Sequence, residues 1–423
     1  MGSHSDPLAF LAALTAAQAD GEAAVQALVA ERLAAIGCAV EAIRYDPATV
    51  PLIGEFAADS ARMPGERVSI VGRHRGEATK RSLILFAHPD SEPVNTAGWS
   101  RAPFAAEEVE GRLYGWGVAD DLAGIAAGVL GLERALAGGV ILGPVVMAST
   151  PSKRHARGVT ALLQRGLTAD AAVYLHPAES GAGMREVKAF ASGALEFSVT
   201  VTGRLPETTE PSHAAFAHMA VNPLDKAMDI IMALRRLDAE RGARVSHPRL
   251  QAAVGRSTNL MVTMMACGGE GRFSRIQPQA RFGAALAFPP TEALEAVQAE
   301  VEAAIAAAVE ADPWLAAHPP EVTWLSGTSG CALETDHPLW SSVAGAVRAV
   351  TGGEPFVNAL HTGSDIRNPW VQKGIPTVGL GCLCGGLTHS GDVDEWVDVA
   401  DFERMVAVTA AIIADWCGAD RAA

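Results

Sequence analysis

The chain has 423 residues, of which 33 are basic and 48 acidic, so its formal net charge is −15 at pH 7. This excess of negative charge disfavours binding to nucleic acid or to an anionic membrane. Hydrophobic residues make up 49% of the chain, which excludes a disordered protein and, at this length, predicts a globular protein of about two domains.

Predicted helices and strands alternate along much of the chain. Apolar residues at helical spacing between 8 and 33 predict a helical start, and a short strand follows at 39–43. Helical stretches at 124–136 and 158–165 separate apolar runs of strand length. Those strands are predicted at 68–71, 82–87, 145–148, 171–175 and 377–380. The alternation predicts an α/β fold, with a parallel or mixed sheet that helices cover on both faces.

The pattern of elements changes between residues 195 and 326. The elements predicted there are strands at 195–202, 258–265, 281–288 and 321–325 and helices at 223–237 and 291–311. Their order is β-α-β-β-α-β, which predicts a small α+β domain inserted into the larger one. We therefore predict that 1–194 and 327–423 form one domain and that 195–326 form the inserted domain.

The cysteines and the apolar runs predict the cellular location. Six cysteines are scattered over the chain without the spacing of a disulfide framework, which favours a reducing compartment. No apolar run approaches the roughly 18 residues of a membrane span, and the first residues lack a charged region followed by an apolar core. We expect a cytoplasmic protein.

Candidate metal ligands stand at the ends of predicted strands. His88 and His176 each follow a strand directly, Asp120 ends a glycine-punctuated turn before a helix, and His389 lies in a glycine-rich segment near the end of the chain. The carboxyl ends of strands in an open α/β sheet form one edge, where such side chains can meet. Three His and one Asp that converge there predict a transition-metal site.

These motifs resemble those of the zinc-dependent exopeptidases and deacylases, the family of glutamate-releasing carboxypeptidase, acetylornithine deacetylase, succinyl-diaminopimelate desuccinylase and aminoacylase. His-Pro-Asp at 88–90 and Tyr-Gly-Trp-Gly-Val-Ala-Asp at 114–120 match two family motifs, the second with Trp in place of Arg. His176 before Pro177 matches a ligand position, and His389 matches the late His of the family. The resemblance covers almost the whole chain. It implies a metallopeptidase-like, mixed-sheet catalytic domain with an inserted lid or dimerisation domain.

One family motif, a Glu-Glu pair, has no match. In the family the first Glu is the general base and the second is a ligand of one of two metals, and the family's spacing places the pair on Ser152 and Lys153. A protonated lysine cannot ligate a metal, and Lys153, Arg154 and Arg157 would repel a second divalent cation. We therefore expect one divalent metal per subunit, either zinc, manganese, iron or cobalt. By resemblance, its ligands are His88, Asp120 and His176.

The missing carboxylates leave the catalytic roles open. The ammonium of Lys153 could stabilise a negative intermediate in place of the second metal. The general base could be His389, a carboxylate such as Glu179, or a basic group of the substrate itself. His389 could instead be a fourth metal ligand. Asp90 is predicted to orient His88 or to act in catalysis.

The substrate contacts are predicted mainly from the resemblance. Ser364 lies in Gly-Ser-Asp at 363–365, which resembles the family's loop for a substrate carboxylate. Arg275 falls where relatives have an Asn in the lid, and its guanidinium could bind a carboxylate through two hydrogen bonds. His213 lies nine residues before Asn222, the family's spacing for a His that reaches the partner subunit's active site. These residues imply a small carboxylate-bearing substrate and a homodimer or larger assembly.

The sequence therefore predicts a hydrolase that uses metal-activated water to cleave a C–N bond. Ser-Lys-Arg at 152–154, in place of the family's Glu-Glu pair, resembles branches of the family that act on non-peptide substrates. We therefore first expect an aminohydrolase of aromatic amines, for example one that converts 5-nitroanthranilate to 5-nitrosalicylate and ammonia. The alternatives are a deacylase of N-acyl amino acids or an aminopeptidase-like amidohydrolase, and an inactive binding protein. One complete ligand set favours an enzyme, because a degenerate protein would be expected to lose ligands of both metals.

Overall fold

The computed structural model describes residues 6–58, 65–91, 97–210, 212–268, 273–359, 363–385 and 392–421. The chain divides into two compact units. The first consists of Met1–Pro51, Arg62–Phe190 and Ala332–Ala423, and the second of Leu52–Ala61 and Ala191–Cys331. The insertion predicted at 195–326 lies within the second unit, which also includes 52–61, 191–194 and 327–331.

The described residues form helices and strands in the alternating order expected of an α/β protein. The strands are β1 (Ala39–Tyr45), β2 (Glu55–Ala57), β3 (Arg67–His74), β4 (Leu83–Ala87), β5 (Glu107–Val109), β6 (Arg112–Tyr114), β7 (Val145–Ser149), β8 (Ala171–Leu175), β9 (Glu186–Val187), β10 (Phe190–Ala191), β11 (Gly193–Thr202), β12 (Asn259–Ala266), β13 (Gln279–Phe288), β14 (Glu321–Thr328), β15 (Cys331–Ala332), β16 (Phe356–Val357), β17 (Thr377–Leu380) and β18 (Trp396–Asp398). The helices are α1 (Pro7–Ala17), α2 (Glu22–Ala35), α3 (Ala123–Ala137), α4 (Gly158–Gln164), α5 (Pro223–Arg244), α6 (Pro248–Val254), α7 (Leu294–Ala311), α8 (Pro313–Ala317), α9 (Pro338–Thr351), α10 (Arg367–Lys373) and α11 (Val399–Gly418).

A mixed six-stranded sheet organises the first unit. Its strand order is β1-β3-β7-β4-β8-β17. Strands β7, β4, β8 and β17 run parallel to one another, whereas β3 pairs antiparallel with both β1 and β7. Because β7, β4 and β8 are parallel neighbours, the residues that follow them meet at one edge of the sheet.

Helices cover this sheet because its central strands are apolar on both faces. Leu85 of β4 and Val173 of β8 lie in one buried core with residues of α2, α3, α9 and α11. Successive side chains of a strand point to opposite faces, so Phe86 and Tyr174 point the other way, where their rings stack with centroids 4.8 Å apart. The mixed α/β sheet of the sequence analysis is therefore present, with both faces of its central strands buried.

The second unit is an antiparallel sheet packed on two long helices. Its strand order is β12-β13-β11-β14-β2. Alternate residues of β11 lie in one core with apolar residues of α5 and α7. Strand β2 joins the edge of the sheet by pairing with β14, as Phe56 does with Gly327. A three-residue strand has too short a pattern to be assigned from sequence, which explains why the sequence analysis leaves 52–61 outside this unit.

A buried arginine ties α5 to α7 in the second unit. The Arg241 side chain is 1% exposed, and its guanidinium lies 2.6 Å from Glu292 Oε2 and also contacts Glu300 Oε2. We expect Arg241→Met to lower the free energy of unfolding by about 3 kcal/mol, since it leaves two carboxylates without their buried cation. Arg244→Met is the matched control, because Arg244 contacts the same Glu300 from a side chain that is 57% exposed and should cost less than about 1 kcal/mol. Urea denaturation of both variants measures the difference, and equal losses would contradict the assignment.

Each helix in the described part of the chain is too short or too polar to cross a bilayer.

Candidate metal centre

Polar residues that follow adjacent strands of the first unit lie at one edge of its sheet. His88 follows β4 and His176 follows β8, while the turn after β7 carries Ser152 and Lys153. Asp120 arrives separately, from the turn between β6 and α3. The strand-end position explains why these residues are close in space although they lie far apart in the sequence.

The three residues predicted as metal ligands form one cluster. His88 Nε2 lies 2.9 Å from Asp120 Oδ1, and His176 Nε2 lies 3.4 Å from the same oxygen. One ligand atom of each residue lies within 4.8 Å of the other two. His88 and Asp120 are buried, and the His176 side chain is 13% exposed. The structure therefore brings together His88, Asp120 and His176 as the sequence analysis expects.

Two of these groups have the protonation state that cation binding requires, since His176 is neutral and Asp120 is ionised. Burial lowers the pKa of His176 to about 4, and the positive charge of Lys188 acts in the same direction, so this imidazole is neutral near pH 7. Burial would raise the pKa of Asp120, but the neighbouring His88 and His176 outweigh it and hold that pKa well below its usual value. For His88, burial opposes the charged form, yet Asp120 and Asp121 raise its pKa to about 9. A metal at this site would have to displace the proton of His88.

The donor set fits a divalent transition metal. Asp120 Oδ1 is buried and, among the described residues, accepts no hydrogen bond of good geometry, although two imidazole nitrogens face it. Buried polar oxygens are rarely left in this state. Two imidazole nitrogens and one carboxylate oxygen are a usual ligand set for zinc, manganese, iron or cobalt.

Lys153 lies against this cluster. Its Nζ contacts Asp120 Oδ2, the carboxylate oxygen that does not face the imidazoles. Burial lowers the pKa of Lys153, but the negative charge of Asp120 outweighs that effect and raises it, so Lys153 is an ammonium. A positive charge therefore stands beside the carboxylate that would otherwise bridge to a second cation.

Asp90 acts on the Lys153 turn more directly than on His88. Its two carboxylate oxygens accept hydrogen bonds from the backbone N–H groups of Ser152 and Lys153, each at 2.9 Å. Arg67 Nη2 lies 3.3 Å from the same carboxylate. The Nδ1 atom of His88 instead lies 2.8 Å from the backbone carbonyl oxygen of Asp90. The Asp90 carboxylate thus positions the lysine, while its backbone orients the His88 ring.

Lys188 is a second lysine at the cluster, which the sequence analysis does not identify. Its side chain is 1% exposed, and its Nζ lies 2.6 Å from His176 Nδ1 and contacts the carbonyl oxygen of Pro177. Glu179 Oε2 lies 3.7 Å from the same Nζ. The chain has five lysines, so the rarity of this residue type is the signal that could have found it.

Glu395 positions the turn that carries Asp120. Its Oε1 accepts hydrogen bonds from the N–H groups of Ala119 at 2.8 Å and Asp120 at 3.1 Å, and its Oε2 accepts one from Gly117 at 3.1 Å. Only the tertiary structure shows this contact, since Glu395 lies more than 270 residues away along the chain.

We expect Glu395→Gln to weaken metal binding by about 10–100-fold, because an amide nitrogen would face backbone N–H groups that need an acceptor. Competition with a chromophoric chelator measures the affinity. Asp394→Asn is the matched control, because Asp394 is the adjacent acid and binds Ser100 instead, with 2.9 Å between its Oδ1 and the Ser100 nitrogen. Unchanged affinity in Glu395→Gln would exclude the positioning role.

The other residues predicted to act on the substrate are His213 and Arg275 in the second unit and Ser364 in the first. His213 and Arg275 pair through an isolated antiparallel bridge in the second unit, and Arg275 lines a cavity of about 710 Å³ there. Ser364, in the first unit, is half-buried and accepts a hydrogen bond from the N–H of Ile366 at 3.4 Å. Their roles toward a substrate stay predictions. His389 lies outside the described residues.

The chain is similar to known hydrolases in sequence and in fold. Residues 84–415 match the model of peptidase family M20/M25/M40. A succinyl-diaminopimelate desuccinylase from Phenylobacterium zucineum (strain HLK1) is 30% identical over 359 residues, which cover 83% of this chain and 87% of that protein.

Two solved structures have the same fold at low sequence identity. The M20 family metallo-carboxypeptidase Sso-CP2 from Sulfolobus solfataricus superposes with a TM-score of 0.71 at 15% identity, over 96% of this chain and 97% of that one. The YXEP protein of Bacillus subtilis, described as a dinuclear metal-binding peptidase, gives 0.62 at 14% identity, over 97% and 99% of the two chains. These comparisons confirm the predicted family resemblance and the mixed α/β fold.

Proposed function

The chain belongs to peptidase family M20/M25/M40 and is a metal-dependent hydrolase, and we propose that it cleaves a C–N bond of a small carboxylate-bearing substrate at a single divalent metal. The observation that carries this proposal is the cluster of His88, Asp120 and His176, whose ligand atoms lie within 4.8 Å of one another. Two of the three residues are buried, and the cluster lies at the carboxyl edge of the main sheet, where sites form in this fold class.

The proposal of a single metal rests on Lys153. Its ammonium contacts Asp120 Oδ2, the oxygen through which Asp120 would bind a second ion. Position 153 is also where the family resemblance places a carboxylate ligand, and a lysine there both removes the ligand and adds a repelling charge. The dinuclear arrangement named for the YXEP protein is therefore not proposed for this chain.

The residues around the cluster support hydrolysis. A divalent ion held by His88, Asp120 and His176 would act as a Lewis acid and lower the pKa of a bound water to about 7. Lys153 supplies a positive charge for the oxyanion that forms when water adds to a carbonyl carbon. Asp90 holds that lysine in place through two backbone hydrogen bonds of 2.9 Å.

For the substrate, we propose first an N-acyl amino acid or a related amide. The relative from Phenylobacterium zucineum is a desuccinylase and aligns over most of both chains. The comparisons thus favour the deacylase alternative over the aromatic aminohydrolase that the sequence analysis puts first, and they lend no support to 5-nitroanthranilate as the substrate.

An aromatic aminohydrolase is the second candidate, and the residues at 152 and 153 favour it. Ser and Lys stand there in place of the carboxylate pair, so these two positions supply neither the general base nor the ligand of a second metal that the family resemblance places there. An electron-poor ring can take up the charge of an addition intermediate, so the reaction depends less on a strong general base and on a second metal.

A screen of the metal-reconstituted protein tests the proposal. The substrates are N-succinyl and N-acetyl amino acids, dipeptides, aminobenzoates and nitroanthranilates, with mass spectrometry to identify the bond that is cleaved. Release of an acyl acid supports the deacylase, and release of ammonia without an acyl product supports the aminohydrolase. If His88→Ala turns over the accepted substrate as fast as the wild type, the cluster is not the site of hydrolysis.

Self-association is a further part of the proposal, because the resemblance assigns His213 to the partner subunit's active site. Sedimentation velocity measures the oligomeric state. A purely monomeric enzyme with full activity would remove that role from His213.

A further inference from the structure

Hydrolysis at this site needs a group that takes a proton from water. Resting on the proposed function, we propose that Asp365 is the general base, held in place by Ser152. The Oγ of Ser152 donates a hydrogen bond to Asp365 Oδ2. This contact joins the turn after β7 to the segment before α10, which are 213 residues apart in the chain.

The contact places the Asp365 carboxylate beside the turn that carries Lys153, the residue that contacts the candidate ligand Asp120. Ser152 is held by its backbone N–H, which donates to Asp90 Oδ1 at 2.9 Å, and the next residue is the lysine that contacts Asp120.

The surroundings of Asp365 suit a base. Its side-chain partners in the described residues are neutral, namely the Ser152 hydroxyl and the amide of Asn368, whose Nδ2 lies 2.9 Å from Asp365 Oδ1. Asp365 is also half-buried, which leaves it accessible to water.

The other carboxylates near the cluster are committed to other groups. Asp120 contacts the ammonium of Lys153, and Asp90 binds two backbone N–H groups and the guanidinium of Arg67. Glu395 accepts three backbone hydrogen bonds. Glu179, which the sequence analysis considers as a base, has its Oε2 3.7 Å from the buried Nζ of Lys188. Asp121, which also lies beside His88, is fully buried, and its Oδ2 accepts a hydrogen bond from the backbone N–H of His88 at 3.3 Å. Asp365 differs from these carboxylates because it is half-buried and its side-chain partners in the described residues are uncharged.

In the proposed hydrolysis, Asp365 carries one proton from water to the leaving nitrogen. Water gives a proton to the Asp365 carboxylate while its oxygen forms a bond to the carbon of the scissile C–N bond. The protonated Asp365 then gives that proton to the leaving nitrogen as the C–N bond breaks. Asp365 ends the cycle ionised, and the products are a carboxylic acid and an amine for an amide substrate, or a phenol and ammonia for an aromatic amine.

Three variants test this role on the substrate that the wild type accepts. Asp365→Asn keeps the shape and a hydrogen-bond acceptor for Ser152, so we expect metal content and KM close to wild type and a kcat lower by about 100-fold or more. Asp336→Asn, an exposed acid outside the site, is the matched control and should keep the full kcat. The double variant S152E/D365N carries a carboxylate on the neighbouring side chain that touches position 365, and we expect it to recover at least about 10-fold over Asp365→Asn.

The outcomes separate this inference from the proposed function. Asp365→Asn with a kcat within about threefold of wild type overturns the base role and leaves the proposed function intact. A loss of kcat that comes with a loss of metal or of the folded state, followed by no recovery in S152E/D365N, also overturns it, because Asp365 would then be structural. A wild type that hydrolyses none of the screened substrates overturns the proposed function and this inference with it.

Discussion

Asp120→Asn is expected to lose bound metal and to reduce turnover by more than about 100-fold. Mutation of a residue that only hydrogen-bonds to a metal ligand costs up to about 100-fold, and the loss of a ligand itself should cost more. Asp120 is the residue that faces both imidazoles and the lysine of the site. One of its oxygens faces His88 Nε2 at 2.9 Å and His176 Nε2 at 3.4 Å, and the other contacts Lys153 Nζ. An amide there cannot neutralise a cation. Metal analysis after dialysis, together with initial rates on the accepted substrate, measures both effects.

The matched control for this variant is Asp170→Asn. Asp170 is half-buried and lies just before β8, at the opposite end of the sheet from Asp120. Its Oδ2 accepts hydrogen bonds from the backbone nitrogen and the hydroxyl of Ser82, each at 2.7 Å. We expect this control to keep its metal and its kcat. Equal metal content in Asp120→Asn and the wild type would show that the ion binds elsewhere.

Lys153→Met is expected to lower kcat by about 100–1,000-fold while one metal ion per chain remains bound, because it removes the charge that stabilises the oxyanion and leaves the three ligands in place. The reciprocal variant, Lys153→Glu, replaces the repelling charge with a carboxylate, and we expect it to bind a second ion. Metal-to-protein ratios from elemental analysis distinguish the two states.

Lys373→Met is the control, because it removes an exposed lysine from the end of α10. The proposal of a single metal fails if the wild type holds two tightly bound ions. The catalytic role proposed for Lys153 fails if Lys153→Met keeps the wild-type kcat, since the lysine would then only occupy the position of a lost ligand.

The strands were the most predictable part of the fold. The predicted strands 171–175 and 377–380 coincide with β8 and β17. Such strands are short apolar runs because the sheet is covered on both faces, and this leaves a clear pattern in the sequence. Strand β2 shows the opposite case, since its place at the edge of the second sheet depends on pairing with β14 and not on its own three residues.

The candidate site was predictable where residues follow strands. His88 and His176 stand directly after β4 and β8, so the sheet topology alone brings them to one edge. Lys153 could be singled out because lysine is rare in this chain and stands where the family resemblance places a carboxylate. The sequence could not show that its ammonium contacts Asp120, because that contact depends on how two separate turns pack.

By itself, the sequence predicted the α/β class from local periodicity, and it singled out His88 and His176 because each directly follows a strand. The ligand role of Asp120 and the loss of the second carboxylate set were implied by the family resemblance. Only the tertiary structure decided which charged groups surround those ligands. The pairing of Ser152 with Asp365, the contact of Lys188 with His176 and the support of the Asp120 turn by Glu395 all depend on side-chain positions in the folded chain. Hydrogen bonds and charges act over a few ångströms, so the order of residues along the chain does not specify them until packing has brought those residues together.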